Sequence, residues 1–349
     1  MAAPVEADVE RAALLAGWLA EALSTGPLEV VDYARSAGGY SNDTFILTVK
    51  EVGANSPRRF VFRWAPDVPI FLDYDILAQA RTMRGLAAGN LPVPDVVGVE
   101  DDPTLIGKPF YAMSYVEGRF PPDTPPGPHG HGLFFESTPA ERRRMHDQVI
   151  GAMAELHRID WRSLDLPDLG SPDSGLAALD AQIQYWEDML AWATDEPMPL
   201  MGKAFDWVKD HRYEPSRLSL CWGDAHHGNV LYHDGELSAV LDWEMAHIGP
   251  PEADIAWMLA CDHIHVDSHG FPRLPGLPDD DEVFAHYAEV SGHPIENRQF
   301  HEVFGALRCA ITVAQSARKF KLLGIQGWPQ DMASNNPAIR LLAEVLAAE

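Results

Sequence analysis

The stretch CWGDAHHGNVLYHDGELSAVLDWEMAHIGPPEADIAW, residues 221 to 257, decides the fold. At its centre Asp234-Gly235 stands between two apolar runs. That pair tolerates the positive φ angles of a tight two-residue turn, so the segment predicts a β-hairpin. Such a turn pairs His233 with Glu236 and, counting outward, Asn229 with Val240. Asp242 then lies one two-residue strand step further, roughly 7 Å along the strand. Side chains alternate faces with period two, so Asn229 and Asp242 are expected on one face, at the open end of the hairpin.

An amide and a carboxylate at one hairpin mouth suit Mg²⁺, which prefers hard oxygen ligands and shares them with phosphates and water. Asp224 and Asn229 have the D-x-x-x-x-N spacing of a kinase catalytic loop, where the aspartate takes a hydroxyl proton. On the residues alone, a turn-rich hairpin with acidic ends fits the same letters, and both readings stay open.

The composition around this segment is that of a globular protein. Apolar residues make up 46% of the 349 and charged residues 22%. The formal net charge of -26 repels phosphate backbones, so no nucleic-acid partner is expected. It serves solubility, or attracts a cationic substrate. No apolar run is long enough for a membrane span, and none is expected. The N-terminus, MAAPVEADVERAALLAGWLAEAL, lacks a basic region before its apolar part and is expected to form an amphipathic helix, not a signal peptide. The three cysteines, Cys221, Cys261 and Cys309, form no CxxC pair. That argues against a disulfide framework and fits a reducing cytoplasm, the expected location.

Strand signals cluster before residue 117. LEVVDYARS leads to Gly38-Gly39, and NDTFILTV and RRFVFRWA flank the polar loop Glu51 to Pro57 as a hairpin. Residues 71 to 88 are expected to be helical. LPVPDVVGVE ends that helix and starts a strand, and PFYAMSYV is another. PPDTPPGPHGHG is a loop by its proline and glycine content. From about Ser137 helical patterns dominate, with a β-rich island at 217–242. Segregated strands and helices give an α+β class. The expected layout is an N-terminal helix (1–27), a small β-rich N-lobe that binds nucleotide (28–116), and a larger, mainly helical C-lobe for catalysis and acceptor binding (117–349).

The string WGDAHHGN…VLDWE…GPPEADIAW resembles the HGDxHxGN…xxDWE…GDPxxDLA pattern of the aminoglycoside phosphotransferase and choline kinase-like family. The resemblance runs from about residue 28 to 320. It is closest to the bacterial branch related to the kinase-like domain fused to some acyl-CoA dehydrogenases. It implies a two-lobed, protein-kinase-like fold and an ATP- and Mg²⁺-dependent transfer of phosphate to a hydroxyl of a small molecule, with GTP as an alternative donor. It implies Asp224 as catalytic base, His226 near the transferred phosphate, Asn229 and Asp242 as metal ligands, and Asp254 as a buttress of the loop. SAGGYSN (36–42) is similar to the family's glycine-rich nucleotide loop. There Gly38 and Gly39 let backbone amides approach phosphates, and Ser41 offers a hydroxyl. Arg63 stands where protein kinases carry the phosphate-binding lysine. Gln79, or Asp75 one helical turn earlier, would brace it. Ser114 and Val116 fall in the hinge that holds adenine through backbone groups. The family's acceptors range from aminoglycosides and choline-like alcohols to sugars and hydroxyacyl thioesters. The oligomeric state is not legible.

Two departures from the family pattern, Trp222 for histidine and Arg63 for lysine, keep a nucleotide-binding pseudokinase open, acting as sensor or scaffold. Trp222 is expected to fill the histidine's space and donate through its indole N–H. A third alternative is a metallohydrolase, because Asp262-His263-Ile264-His265-Val266-Asp267-Ser268-His269 contains an HxH that a strand would turn to one face. Its neighbouring glycine and prolines predict a solvated or substrate-facing loop instead. Glu244, two after Asp242, is expected on the same face as a supporting residue.

Overall fold

The computed structural model describes residues 6–35, 41–72 and 74–348. An N-terminal helix α1 (Glu6–Ala22) precedes β1 (Leu28–Arg35), β2 (Asp43–Glu51) and β3 (Arg58–Trp64). Helix α2 (Ile76–Leu86), β4 (Val96–Glu100) and β5 (Phe110–Ser114) complete the smaller lobe. The five strands form one antiparallel sheet in the order β1-β2-β3-β5-β4. The β2–β3 hairpin lies where its alternating residues place it, burying Phe45, Leu47, Val49, Phe60 and Phe62 on one face. Helix α1 covers that face with Ala12, Leu15, Ala16 and Leu19. Strand β3 is central, so Arg63 is not a surface charge on an edge strand.

The larger lobe is mainly helical: α3 (Gly132–Glu136), α4 (Pro139–Arg158), α5 (Gly175–Ala193) and α6 (Pro199–Asp210), then α7 (Glu252–His269), α8 (Asp280–Ser291), α9 (Arg298–Leu323) and α10 (Pro337–Ala347). Between them sit four short strands, β6 (Ser219–Cys221), β7 (Val230–His233), β8 (Glu236–Val240) and β9 (His247–Gly249). Strand β6 pairs with β9, and β7 with β8. The fold is therefore α+β, with a β-rich small lobe and a helical large one. Among the described residues no helix is long and apolar enough to cross a membrane.

The β7–β8 turn is the Asp-Gly pair, with φ of 51° at Asp234 and 79° at Gly235. His233 pairs with Glu236 as expected, but Val230, not Asn229, faces Val240. One extra residue, Ser238, bulges between the pairs Leu231–Ala239 and Tyr232–Leu237. Its Oγ donates to the Glu117 carbonyl, and Tyr232 forms a bridge with Arg119. The chain entering the large lobe thus pins the bulge. Asn229 ends a 3-10 turn (His227–Asn229) and its carbonyl accepts from Leu241 N. Asp242 has φ 61°, outside any strand. The backbone bond across the hairpin mouth joins Asn229 to Leu241, the neighbour of Asp242, and the same-face expectation from strand alternation does not describe Asn229 and Asp242.

The histidine-rich segment is not a loop. It is the last part of α7, and Gly270 in the left-handed region closes the helix. Asp75 caps α2 through Leu77 N and pairs with Arg81, so it does not brace Arg63.

Trp222 is 1% exposed; its Nε1 donates to the Leu241 carbonyl at 2.8 Å and its ring lies 6.1 Å from that of Trp243. It thus ties the segment before Asp224 to the one carrying Asp242, as the sequence reading expected. Trp222→Ala is expected to lower unfolding free energy by about 3–5 kcal/mol, through lost burial and the cavity left behind. Urea denaturation checks this; a loss below about 1 kcal/mol contradicts it.

Candidate active site

Gly223 begins the site. Its φ is 88°, and a Cβ there would fall 1.9 Å from the Met245 carbonyl oxygen, so only glycine fits. The N–H groups of Trp222 and Gly223 donate to Asp254 at 2.7 and 2.8 Å, and His157 Nε2 lies 3.0 Å from the same carboxylate. Burial pushes Asp254 up, but His157 and these donors hold it below the usual carboxylate range. Asp254 is therefore the buttress of the turn that presents Asp224.

Asp224 is held by three neighbours. Asn229 Nδ2 donates to Oδ2 at 2.7 Å, Trp257 Nε1 donates to Oδ1 at 2.9 Å, and His226 Nε2 lies 3.5 Å from Oδ2. Burial raises the Asp224 pKa, while His226, Asn229 and Trp257 together bring it below its ordinary value. Burial also works against a charged His226, but Asp224 and Asp123 outweigh it and hold the imidazole well above its ordinary range. The Gly228 nitrogen lies 3.2 Å from His226 Nδ1, and Nε2 faces Asp224.

On the small-lobe side, Arg63 makes a two-point pair with Asp242, Nη1 to Oδ1 at 3.0 Å and Nη2 to Oδ2 at 3.4 Å. Both side chains are mostly buried, 14% and 13% exposed. Burial disfavours the Arg63 charge, yet Asp242 holds the guanidinium above its ordinary range. Gln79 Oε1 accepts from Arg63 Nη1 at 3.4 Å, so the expected brace is present. Glu244 accepts from Tyr74 Oη at 2.8 Å and Asn42 Nδ2 at 3.1 Å. Burial, then the charges of Asp242 and Asp224, push its carboxyl well above the usual range. Ser41 is buried and its Oγ accepts from Asn42.

Two clusters thus form, one around Asp224 and one around Asp242, linked by the Asn229–Leu241 backbone bond. Asp224, His226, Asn229, Ser41, Arg63, Gln79 and Asp242 all belong to them. Gly38 and Gly39 lie outside the described residues. Ser114 and Val116 sit at the end of β5; the Ser114 N–H is already given to the Asp95 carbonyl and the Tyr115 N–H to that of Arg59. The Ser114 amide is therefore already used within the small lobe. Sequence reasoning missed Asn42, Tyr74 and Trp257. Trp257 lies one helical turn after Asp254, and Asn42 ends the glycine-rich motif, so both carried a signal.

The donor set suits a hard cation. Asn229 spends Nδ2 on the Asp224 carboxylate and carbonyl, and no described residue donates to its Oδ1. Asp242 faces a guanidinium, which supplies positive charge to that carboxylate. The HxH reading fares otherwise. On a helix His263 and His265 diverge, His263 to Asp280 and His265 to Asp123. Among the described residues only His157, Cys221 and Asp254 bring three ligand-type atoms within 4.8 Å. His157 also meets Tyr287 Oη at 2.7 Å, and Asp254 is saturated by the turn it holds.

The family model described as "Phosphotransferase enzyme family" matches residues 32–291. Mouse acyl-CoA dehydrogenase family member 10 is 29% identical over 315 residues, covering 86% of this chain and 27% of that protein. Human acyl-CoA dehydrogenase family member 11 is 27% identical over 271 residues, covering 74% and 32%. The chain spans about a third or less of the length of these relatives. Among solved structures, a Ralstonia eutropha protein assigned to the aminoglycoside phosphotransferases superposes with TM-score 0.71 at 24% identity, covering 96% of this chain and 98% of that one. Aminoglycoside phosphotransferase APH(4)-Ia, bound to ADP and hygromycin B, gives 0.57 at 16%, covering 95% and 98%. Macrolide 2'-phosphotransferase MphH from Brachybacterium faecium gives 0.57 at 16%, covering 92% and 96%. These likenesses identify the two-lobed fold as protein-kinase-like.

Proposed function

The chain belongs to the phosphotransferase enzyme family, and from that membership we propose that it transfers the γ-phosphoryl group of ATP to a hydroxyl of a small molecule, with Mg²⁺ as cation. Asn229 and Asp242 would hold the cation, which supplies charge neutralisation on the phosphates. Asp224, kept ionised by its three neighbours, orients the acceptor hydroxyl and takes its proton. Arg63 gives its fork to phosphate oxygens with Gln79 behind it, and His226 adds positive charge beside the transferred group. Ser41, with Gly38 and Gly39 by their place in the family's glycine-rich motif, would serve the phosphates. The Ser114 carbonyl and the Val116 amide are the hinge groups for the base.

The observation that carries this reading is the Asn229 side chain. Its Nδ2 donates to the Asp224 carboxylate and carbonyl, and among the described residues nothing donates to its Oδ1, which supports one residue serving both the proton acceptor and the cation. ADP, AMP-PNP and hygromycin B in the APH(4)-Ia structures support a nucleotide and a hydroxyl-bearing acceptor for this chain too.

The test is a panel of hydroxyl compounds incubated with the protein and Mg-ATP, with a no-acceptor control and a chelator control. Acceptor-dependent ADP release that stops on chelation is expected. Tight nucleotide binding with no acceptor-dependent release across a broad panel would favour the pseudokinase.

A further inference from the structure

Helix α9 carries a buried charge that phosphoryl transfer does not use. Arg308 is 2% exposed. Its Nη2 donates to the Gly223 carbonyl at 3.0 Å, and its guanidinium lies 5.3 Å from the Trp186 ring centre and 4.8 Å from that of Trp257. Its Nε has no partner, and among the described residues no carboxylate comes within 4 Å of it. Burial pulls its pKa below the ordinary arginine value, with Asp254 and Asp224 only partly opposing. A desolvated cation held by one carbonyl and two aromatic faces is costly unless an anion joins it.

Arg308 lines a cavity of about 520 Å³ between α2, α5 and the segment after Asp242. Its other walls are largely apolar or aromatic, including Phe71, Tyr185, Trp186, Met189 and Trp243. Four acidic residues also reach it, each with a hydrogen-bonding partner of its own. Asp75 and Asp168 both pair with Arg81, and Asp188 accepts from Gln184. Glu244 accepts from Tyr74 Oη and Asn42 Nδ2. Arg308 is the one arginine or lysine of the wall, and no carboxylate among the described residues lies within 4 Å of it. The volume and walls fit a drug-sized apolar molecule with a single polar anchor.

We propose that this cavity binds a small apolar molecule bearing one carboxylate, its body among the aromatic side chains and its carboxylate on Arg308. The cavity adjoins the Asp242 cluster through Tyr74, Gln79 and Glu244, and its occupancy is measured without nucleotide or cation. Three probes with one body and different heads, 4-phenylbutyrate, 4-phenyl-1-butanol and 4-phenylbutylamine, are titrated calorimetrically. The wild-type protein is expected to take 4-phenylbutyrate with one-to-one stoichiometry, at least about tenfold tighter than the alcohol, with the amine weakest. Arg308→Met is expected to erase the preference for the acid over the alcohol. Because that variant exposes the site to a folding defect, Ala78→Trp is the second arm. It narrows the cavity from the half-buried face of α2, leaves Arg308 in place, and is expected to abolish binding of the acid. Equal affinity for acid and alcohol, no binding of the acid, or an acid preference that survives Arg308→Met would each overturn the proposal.

Discussion

Asp242→Ala is expected to abolish phosphoryl transfer, by at least about a thousandfold, or ~4 kcal/mol of transition-state stabilisation. The residue has two jobs in the account. It is one of two side chains assigned to the cation, and it is the carboxylate partner of Arg63 at 3.0 Å. Removing it takes away a ligand and leaves a guanidinium, 14% exposed, without that partner. Breaking a buried pair from one side costs about 3–5 kcal/mol, so a fall in stability accompanies the loss of activity. Asp242→Asn separates the two effects. The amide keeps an oxygen toward Arg63 but loses the charge, so stability is expected to recover more than transfer does. Steady-state ADP release and urea denaturation on both variants measure the pair. Near-normal turnover in Asp242→Ala contradicts the assignment.

Asp224→Asn is the second large effect and differs in kind. The amide is nearly isosteric, and Trp257 can still donate to its oxygen. Nucleotide binding, which the proposal assigns to Arg63, the glycine-rich motif and the hinge and not to Asp224, is expected to stay close to wild type. Transfer is expected to fall about 10²- to 10⁴-fold, the range of a positioned general base. Calorimetric nucleotide binding with single-turnover transfer resolves the two. Wild-type-like transfer would remove Asp224 from the role of base.

Local chemistry made much of this fold legible. The Asp234-Gly235 turn, the β2–β3 hairpin and the strand starting after LPVP are set by residues close in sequence, and each stands where its turn or proline signal put it. The register beyond the turn was not legible. Its one-residue bulge at Ser238 is held by Glu117, 121 positions away, and no count outward from a turn reveals such a contact. The same limit hid part of the site. Asn42 meets Glu244 across 202 positions, a pairing that exists only once the lobes are together, and Tyr74 across 32 within the small lobe. The histidine-rich end of α7 misled for another reason. Its neighbouring glycine caps the helix instead of opening a loop, and Asp123 and Asp280 pair with His265 and His263, while Asp262 pairs with His129. Trp222 was readable because its size and single donor group left one sensible use for it.

The central claim is that Asn229 and Asp242 grip one divalent ion beside Asp224. Crystals grown with Mn²⁺ and a non-hydrolysable ATP analogue, measured at the manganese absorption edge, test it most directly. The account predicts an anomalous peak bonded to Asn229 Oδ1 and an Asp242 carboxylate oxygen, with Arg63 moved off Asp242 toward phosphate. A nucleotide-bound structure with no peak there, or with manganese held only by the α7 histidines, would contradict it.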